Sequence, residues 1–150
     1  MVKRYMGEQM KYEIAMKLPS LNDYTKWCRG NKYLAAKKKA EIESEIGVFL
    51  AEMPKWTNPI KINFTWVEGT KRRDLDNVCF AKKFILDAMV KSNKLKDDNR
   101  KCVTAFTDSF EYGKETKVIL EIEEVKEWEN ESLIIWESLI QSLHTKLLHN

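Results

Sequence analysis

Ile60, Ile62, Phe64 and Trp66 alternate with Lys61, Asn63 and Thr65, and this run constrains the fold more than any other part of the chain. Period-two alternation gives an extended segment one apolar and one polar face, the pattern of a strand covered on one side. Helical periodicity lies on both sides of it. Leu34, Ile42, Ile46, Phe49 and Leu50 predict a helix from about Lys32 to Glu52, with Lys37, Lys38 and Lys39 on its outer side. Met53-Pro54 closes that helix, and residues 56–59 form a loop. Beyond the strand, a helix running from Val78 onward places Val78, Ala81, Ile85, Ala88 and Met89 on one buried face.

The other elements follow from weaker patterns. Residues 10–17 alternate moderately and predict a half-buried strand, ended by Leu18-Pro19-Ser20-Leu21-Asn22 because proline cannot donate to a ladder. Residues 100–108 and 116–124 read as two strands joined as a hairpin at Tyr112-Gly113, with 117–123 central. A long final helix over 127–148 carries Trp128, Ile135, Trp136, Leu139, Leu143 and Leu147 in phase. Leu133, Ile134, Ile140 and Leu148 widen its stripe, so it either lies deep against the sheet or pairs with its copy in another subunit. The element order gives an α+β fold, with a small mixed or antiparallel sheet of about four strands packed with helices. The division is one unit over 1–124, followed by an acidic, amphipathic C-terminal helix over 125–150 on the same domain or on a dimer partner.

At 150 residues the chain has room for one core, and 43% hydrophobic with 33% charged residues describes a soluble globular protein. The net charge of +3 is unevenly spread: residues 121–150 hold seven glutamates against Lys126 and Lys146, a local −5 that leaves +8 on the rest. From Tyr24 to Ala40 there are six basic residues and no acid: Lys26, Arg29, Lys32, Lys37, Lys38 and Lys39. Such a run binds a polyanion or forms a solvated helix face. Tyr24, Trp27 and Tyr33 stand among these cations, where they can stack bases or pack the interior. Cys28, Cys79 and Cys102 are odd in number without a C-x-x-C, the usage of reduced thiols in a cytoplasmic protein. His144 and His149 are the only histidines, which disfavours a histidine-dependent triad or metal site. No apolar run reaches membrane-spanning length, and no signal-peptide pattern opens the chain.

The chemistry concentrates in Arg72-Arg73-Asp74-Leu75-Asp76-Asn77, with Asp97-Asp98 following about twenty residues later. Carboxylates two apart cannot share a helix face, but they can converge on one ion where the backbone is still turning. Asp74, Asp76 and the Asp97-Asp98 pair, rimmed by Arg72, Arg73, Lys82 and Lys83, describe a magnesium site that handles phosphate. The competing reading is an N-cap role for Asp74 or Asp76. Lys83, seven positions after Asp76, returns to nearly the same helix face and is the better candidate for a supporting lysine, although an ion pair with Asp87 competes for it. A nucleotidyl- or glycosyl-transferase is disfavoured by the lack of a Gly-rich phosphate loop, and a calcium EF-hand by Val78 at its third ligand position.

These segments resemble the RusA family of Holliday-junction resolvases, small endonucleases of bacteria and their phages. The likeness runs from Leu18-Pro19-Ser20-Leu21-Asn22-Asp23-Tyr24, through Arg72-Arg73-Asp74-Leu75-Asp76-Asn77 and Leu86-Asp87-Ala88-Met89, to Asp97-Asp98, and covers about residues 10–124. It implies a homodimeric, Mg²⁺-dependent nuclease acting on four-way or otherwise branched DNA in the cytoplasm of a bacterial host cell, with Mn²⁺ as a substitute ion. The essential carboxylates would fall on Asp74, Asp76 and Asp98, and the supporting lysine on Lys83, or on Lys82 given a helix about one turn longer than in better-known members. Asn77 and Asp97 would support the ligands. Arg72, Arg73, Lys82, Arg29, Lys32 and Lys37 would meet DNA. A branched-DNA binding protein whose acids are structural is the alternative.

Overall fold

A computed structural model describes residues 9–125 and 129–147, with side chains described to Val125 and again from Ile135 to Thr145. Trp128 and Leu148 lie outside the described residues, as do the side chains of Leu133, Ile134 and Leu147. The elements in order are β1 (Met10–Ile14), α1 (Leu21–Gly30), α2 (Lys32–Phe49), β2 (Ile60–Glu68), α3 (Leu75–Cys79), α4 (Lys82–Lys91), β3 (Val103–Tyr112), β4 (Lys117–Glu124) and α5 (Glu129–Leu147). The strands form one mixed sheet in the order β1-β4-β2-β3. The α+β expectation with four strands holds.

The hairpin at Tyr112-Gly113 does not form. β3 pairs parallel to β2 on one edge, while β4 pairs antiparallel to β2 on the other edge and to β1 beyond it. The expected central strand is therefore central, but its chain neighbour sits across β2. Side-chain character explains the exchange: β4 buries Val118, Leu120 and Ile122, whereas β3 is exposed from Thr104 to Ser109 and suits an edge. The connection crosses the end of β2 closely. Gly113 N–H bonds to the Glu68 carbonyl at 3.1 Å, and a Cβ on Gly113 would lie 2.8 Å from Val67 Cγ1. Only glycine passes there without a shift.

Ile60, Ile62, Phe64 and Trp66 of β2 are all buried, as their alternation requires. They face Ile46 and Leu50 at the α2 end and Phe84, Ile85, Ala88 and Met89 of α4, in one cluster with Ile14, Leu120 and Ile122. The α2 stripe is rotated from the expected one. Ile46 and Leu50 are buried as expected, but Leu34 and Phe49 are exposed, and Ala35 and Glu43 are buried in their place. Lys39 likewise turns inward, because acids of α2 and α4 receive it.

Two helices differ from expectation. The aromatic and basic stretch after Asn22 is helical: Ser20 caps α1 through a capping box with Asp23. Within that stretch Tyr24 packs 5.6 Å from the rings of both Phe80 and Phe84, while Tyr33 is exposed. The helix after Val78 is not continuous either. It splits into α3 and α4, with i to i−3 bonds from Ala81, Lys83 and Phe84 tightening the junction at Phe80-Ala81. Asn93, at φ 58°, supplies the left-handed residue that ends α4 and starts the loop to β3.

The described side chains of α5, from Ile135 to Thr145, are all exposed, including Ile135, Trp136, Leu139, Ile140 and Leu143. This stretch is thus not buried against the sheet, one of the two placements its pattern allowed.

Candidate active site

β2 delivers the chain to Glu68, and a turn carries it into α3. Asp74 stands at the N-cap of α3 with extended backbone, φ −67° and ψ 150°, yet its carboxylate makes no capping hydrogen bond. Asp76 lies in the first turn of the same helix. Neither carboxylate has a hydrogen-bond or ion-pair partner among the described residues, and both are exposed. Capping therefore does not account for Asp74.

The residues beside them hold this turn in place. Arg73 forks onto Glu68, with Nε 3.0 Å from Oε2 and Nη2 on Oε1, and its Nη1 donates to the Leu18 carbonyl at 3.0 Å. Asn77 Oδ1 accepts the Asn22 N–H at 3.2 Å. Both bonds tie the 18–22 segment to the acidic turn, so two stretches more than fifty residues apart become one structure. Arg73 is thereby committed inside the fold, whereas Arg72 is exposed with no acid partner among the described residues.

Asp98 comes from the loop between α4 and β3. Asp97 organises that loop, accepting the Asp98 N–H at 2.8 Å and the Asn99 side-chain amide at 2.6 Å. The Asp98 carboxylate meets Lys83 Nζ at 3.2 Å, and the same ammonium lies 2.7 Å from Asp87 Oδ1. The hydrogen bond that Lys83 donates to Asp87, against a smaller effect of burial and with further help from Asp98, raises the Lys83 pKa above its ordinary value.

Asp74, Asp76 and Asp98 do not converge. Among the described residues no three Asp, Glu, His or Cys side chains lie close enough to share a metal ion. The donor chemistry nonetheless suits a hard divalent cation. Two carboxylates are unengaged, and the third is held only by a lysine whose side chain is 53% exposed, a contact that solvent weakens.

The match that places this geometry is with the family Endodeoxyribonuclease RusA, over residues 3–123. The chain belongs to the RusA endodeoxyribonuclease family. No curated protein matches it. The RusA match contains both acidic segments and stops before α5.

The two candidate lysines of this RusA-family chain differ in their partners. Lys83 reaches Asp98, whereas Lys82 turns to Asp108 of β3, over the rings of Phe64 and Phe106 at 5.5 and 4.7 Å. Asp108 also accepts Trp66 Nε1 at 2.8 Å. Sequence reasoning missed Asp108. Its signal was a carboxylate between Phe106 and Phe110, on the strand face otherwise given to rings.

Reasoning from sequence also missed the ion pairs behind Lys83. Asp87 Oδ2 lies 2.6 Å from Lys39 Nζ, which lies 2.7 Å from Glu43 Oε1, an ion contact whose direction falls outside hydrogen-bond geometry. Glu43 is fully buried and is paired with Lys91 as well. Burial pushes the Asp87 carboxyl upward, but bonds from Lys39 and Lys83 outweigh it and hold Asp87 below its ordinary range. Arg29, Lys32 and Lys37 are exposed, with Lys37 4.0 Å from Glu41. Around Asp98, Lys96, Arg100 and Lys101 are exposed without acid partners among the described residues.

Proposed function

We propose that the chain is a Mg²⁺-dependent endodeoxyribonuclease that resolves four-way or otherwise branched DNA by hydrolysing phosphodiester bonds. The observation that carries this reading is the pair of unengaged carboxylates, Asp74 and Asp76, on a turn anchored by Arg73 and Asn77 in a chain of the RusA family. Asp74, Asp76 and Asp98 would hold Mg²⁺, or Mn²⁺ in its place, and the bound ion would supply Lewis acidity toward the attacking water and the leaving oxygen. To join the other two carboxylates on the ion, Asp98 would have to leave the exposed Lys83 that holds it. Lys83 then presents its ammonium to the scissile phosphate, where fixed positive charge favours the more negative transition state over the ground state.

Arg72 beside Asp74, and Lys96, Arg100 and Lys101 around Asp98, hold flanking phosphates on both sides of the site. Arg29, Lys32 and Lys37 extend the contact along the DNA arms. Release of counterions by these cations makes binding steeply salt-dependent. The exposed apolar row of α5, Trp136, Ile140 and Leu143 at 4- and 3-residue steps, supports pairing with the same helix of a second copy. A two-fold dimer presents two sites to a two-fold junction, which yields paired cuts. Such an enzyme works in the cytoplasm of a bacterial host cell. Among the described residues no helix is long and apolar enough to cross a membrane.

Strand cleavage of a mobile four-way junction, beside a Y-fork and plain duplex in Mg²⁺, tests this reading. Paired nicks confined to the branched substrates are expected. Equal cutting of plain duplex contradicts branch specificity.

A further inference from the structure

Six side chains of alternating charge form one line that starts at the exposed Lys91, passes through the buried Glu43 and ends at the edge of the site: Lys91, Glu43, Lys39, Asp87, Lys83 and Asp98. Each successive pair is in contact, at 2.7 Å for Lys39–Glu43, 2.6 Å for Lys39–Asp87, 2.7 Å for Lys83–Asp87 and 3.2 Å for Lys83–Asp98, with Lys91 directly on Glu43. The Lys83 side chain is 53% exposed, whereas Asp87 behind it is 16% exposed and Lys39 26%. The outer lysine is therefore free to move, while the acid behind it is not. Both Asp87 oxygens are engaged, Oδ1 by Lys83 and Oδ2 by Lys39, so the carboxylate plane is fixed by α2 on one side and α4 on the other.

We infer that Asp87 is the positioning residue for Lys83, and that Lys39 of α2 sets the orientation of Asp87. The inference rests on the nuclease reading above, in which Lys83 serves the scissile phosphate. A lysine on a flexible four-carbon stem has many rotamers of similar energy, and an ammonium that must meet one phosphate oxygen loses rate with every unproductive one. Asp87 restricts that set from behind while two further donors of the ammonium remain to turn toward Asp98 or a phosphate. An i, i+4 lysine–carboxylate pair on an open helix face is worth a few tenths of a kcal/mol and would restrict little. The second lysine makes the difference here. With Lys39 on its other oxygen, Asp87 cannot swing out to follow Lys83.

The test is single-turnover cleavage of a four-way junction in Mg²⁺ by wild type, Asp87→Asn, Lys83→Ala and the double variant, with junction affinity in EDTA and thermal unfolding measured alongside. Asp87→Asn is expected to cut on the order of 10- to 100-fold more slowly at unchanged affinity. Added to Lys83→Ala, it is expected to cost nothing more, because its effect passes through that lysine. Asp87→Glu keeps a charge for Lys39 and displaces it by one methylene; it covers the case of an unfolded Asp87→Asn and is expected to fold and cut several-fold below wild type. Wild-type rates from every folded Asp87 variant, or losses that multiply in the double variant, overturn the inference. A wild-type chain that binds junctions without cutting them removes the nuclease reading, and this inference falls with it. A wild type that cuts beside an Asp87 variant that cuts equally well removes this inference alone.

Discussion

Lys82 and Lys83 are consecutive, yet their ammonium groups bind acids from different parts of the fold: Lys82 meets Asp108 of β3, and Lys83 meets Asp98 of the preceding loop. The tightened junction between α3 and α4 sets their directions. Lys82 is 15% exposed and lies over two rings, so it has little freedom to reach a substrate. The two lysines should therefore separate in function.

Lys83→Ala should slow junction cleavage by roughly 10²-fold or more, the usual cost of losing a charge aimed at the transition state, while junction binding is retained. Lys82→Ala should act mainly on stability, because it leaves the Asp108 carboxylate without its cation. Single-turnover rates and thermal midpoints on the two variants check both statements. A Lys82→Ala enzyme that folds well and cuts far more slowly than Lys83→Ala would reverse the assignment.

Cations on either side of the carboxylates should be visible in the salt dependence of binding. Each phosphate contact adds about 0.9 to the slope of log K against log salt. Arg72→Ala and Lys101→Ala should each lower that slope by about that amount, measured on a cleavage-blocked Asp74→Asn background. Lys94→Ala should not change it, because Lys94 is committed to the Ala51 and Met53 carbonyls. An unchanged slope for Arg72→Ala would place the DNA elsewhere.

Much of this arrangement was legible beforehand, for identifiable reasons. The β2 strand and the buried face of α4 depend on local periodicity, which any fold must honour, and both match the structure. The partner of β3 was not legible, because a parallel pairing between residues about forty apart leaves no local trace. The α2 face was misjudged for a different reason. Apolar spacing pointed at Leu34 and Phe49, but the turn inward is decided by Lys39 and Glu43, whose burial depends on Asp87 and Lys91 in another helix. At the site, Asp74, Asp76 and Asp98 were legible as residues but not as a geometry. The four-residue spacing offered the Lys83–Asp87 pair, but nothing in the one-dimensional pattern brings Asp98 to the same ammonium.

The Asp87 ion pairs carry a pH signature whose sign follows from the directions of shift. Asp87 is held below the ordinary carboxyl value of 3.8, so its contribution to stability is present above that pH and is lost as pH falls through the lower folded value. Lys39 is raised despite burial, through its bond to Asp87 and the adjacent Glu43 carboxylate, so its contribution is full below 10.5 and fades as pH rises through the higher folded value. The stability difference between wild type and Asp87→Asn should be level through neutral pH and shrink below about pH 4. Denaturant unfolding across pH 2–8 measures it, and a difference that grows toward acid would refute the pairing.

Glu43→Ala should be the most damaging single change in this group. It strips two lysines of a fully buried partner, but Lys91 is 59% exposed and Lys39 keeps Asp87, so the cost should fall below the roughly 3–5 kcal/mol of breaking a wholly buried ion pair. Glu43→Met, combined with Lys39→Met, should recover much of the loss by replacing the pair with apolar volume. Equal instability in both proteins would mean that packing, not charge, governs the position.

The most direct measurement is cleavage of a four-way junction by wild type and Asp74→Asn, each with saturating Mg²⁺ and with EDTA, with binding followed in parallel. Wild type should nick symmetrically in Mg²⁺ and not in EDTA, and Asp74→Asn should bind equally well while cutting at least about 10²-fold more slowly. Full-rate cutting by Asp74→Asn in saturating Mg²⁺, or tight binding by wild type with no cutting under any divalent ion, would contradict the account.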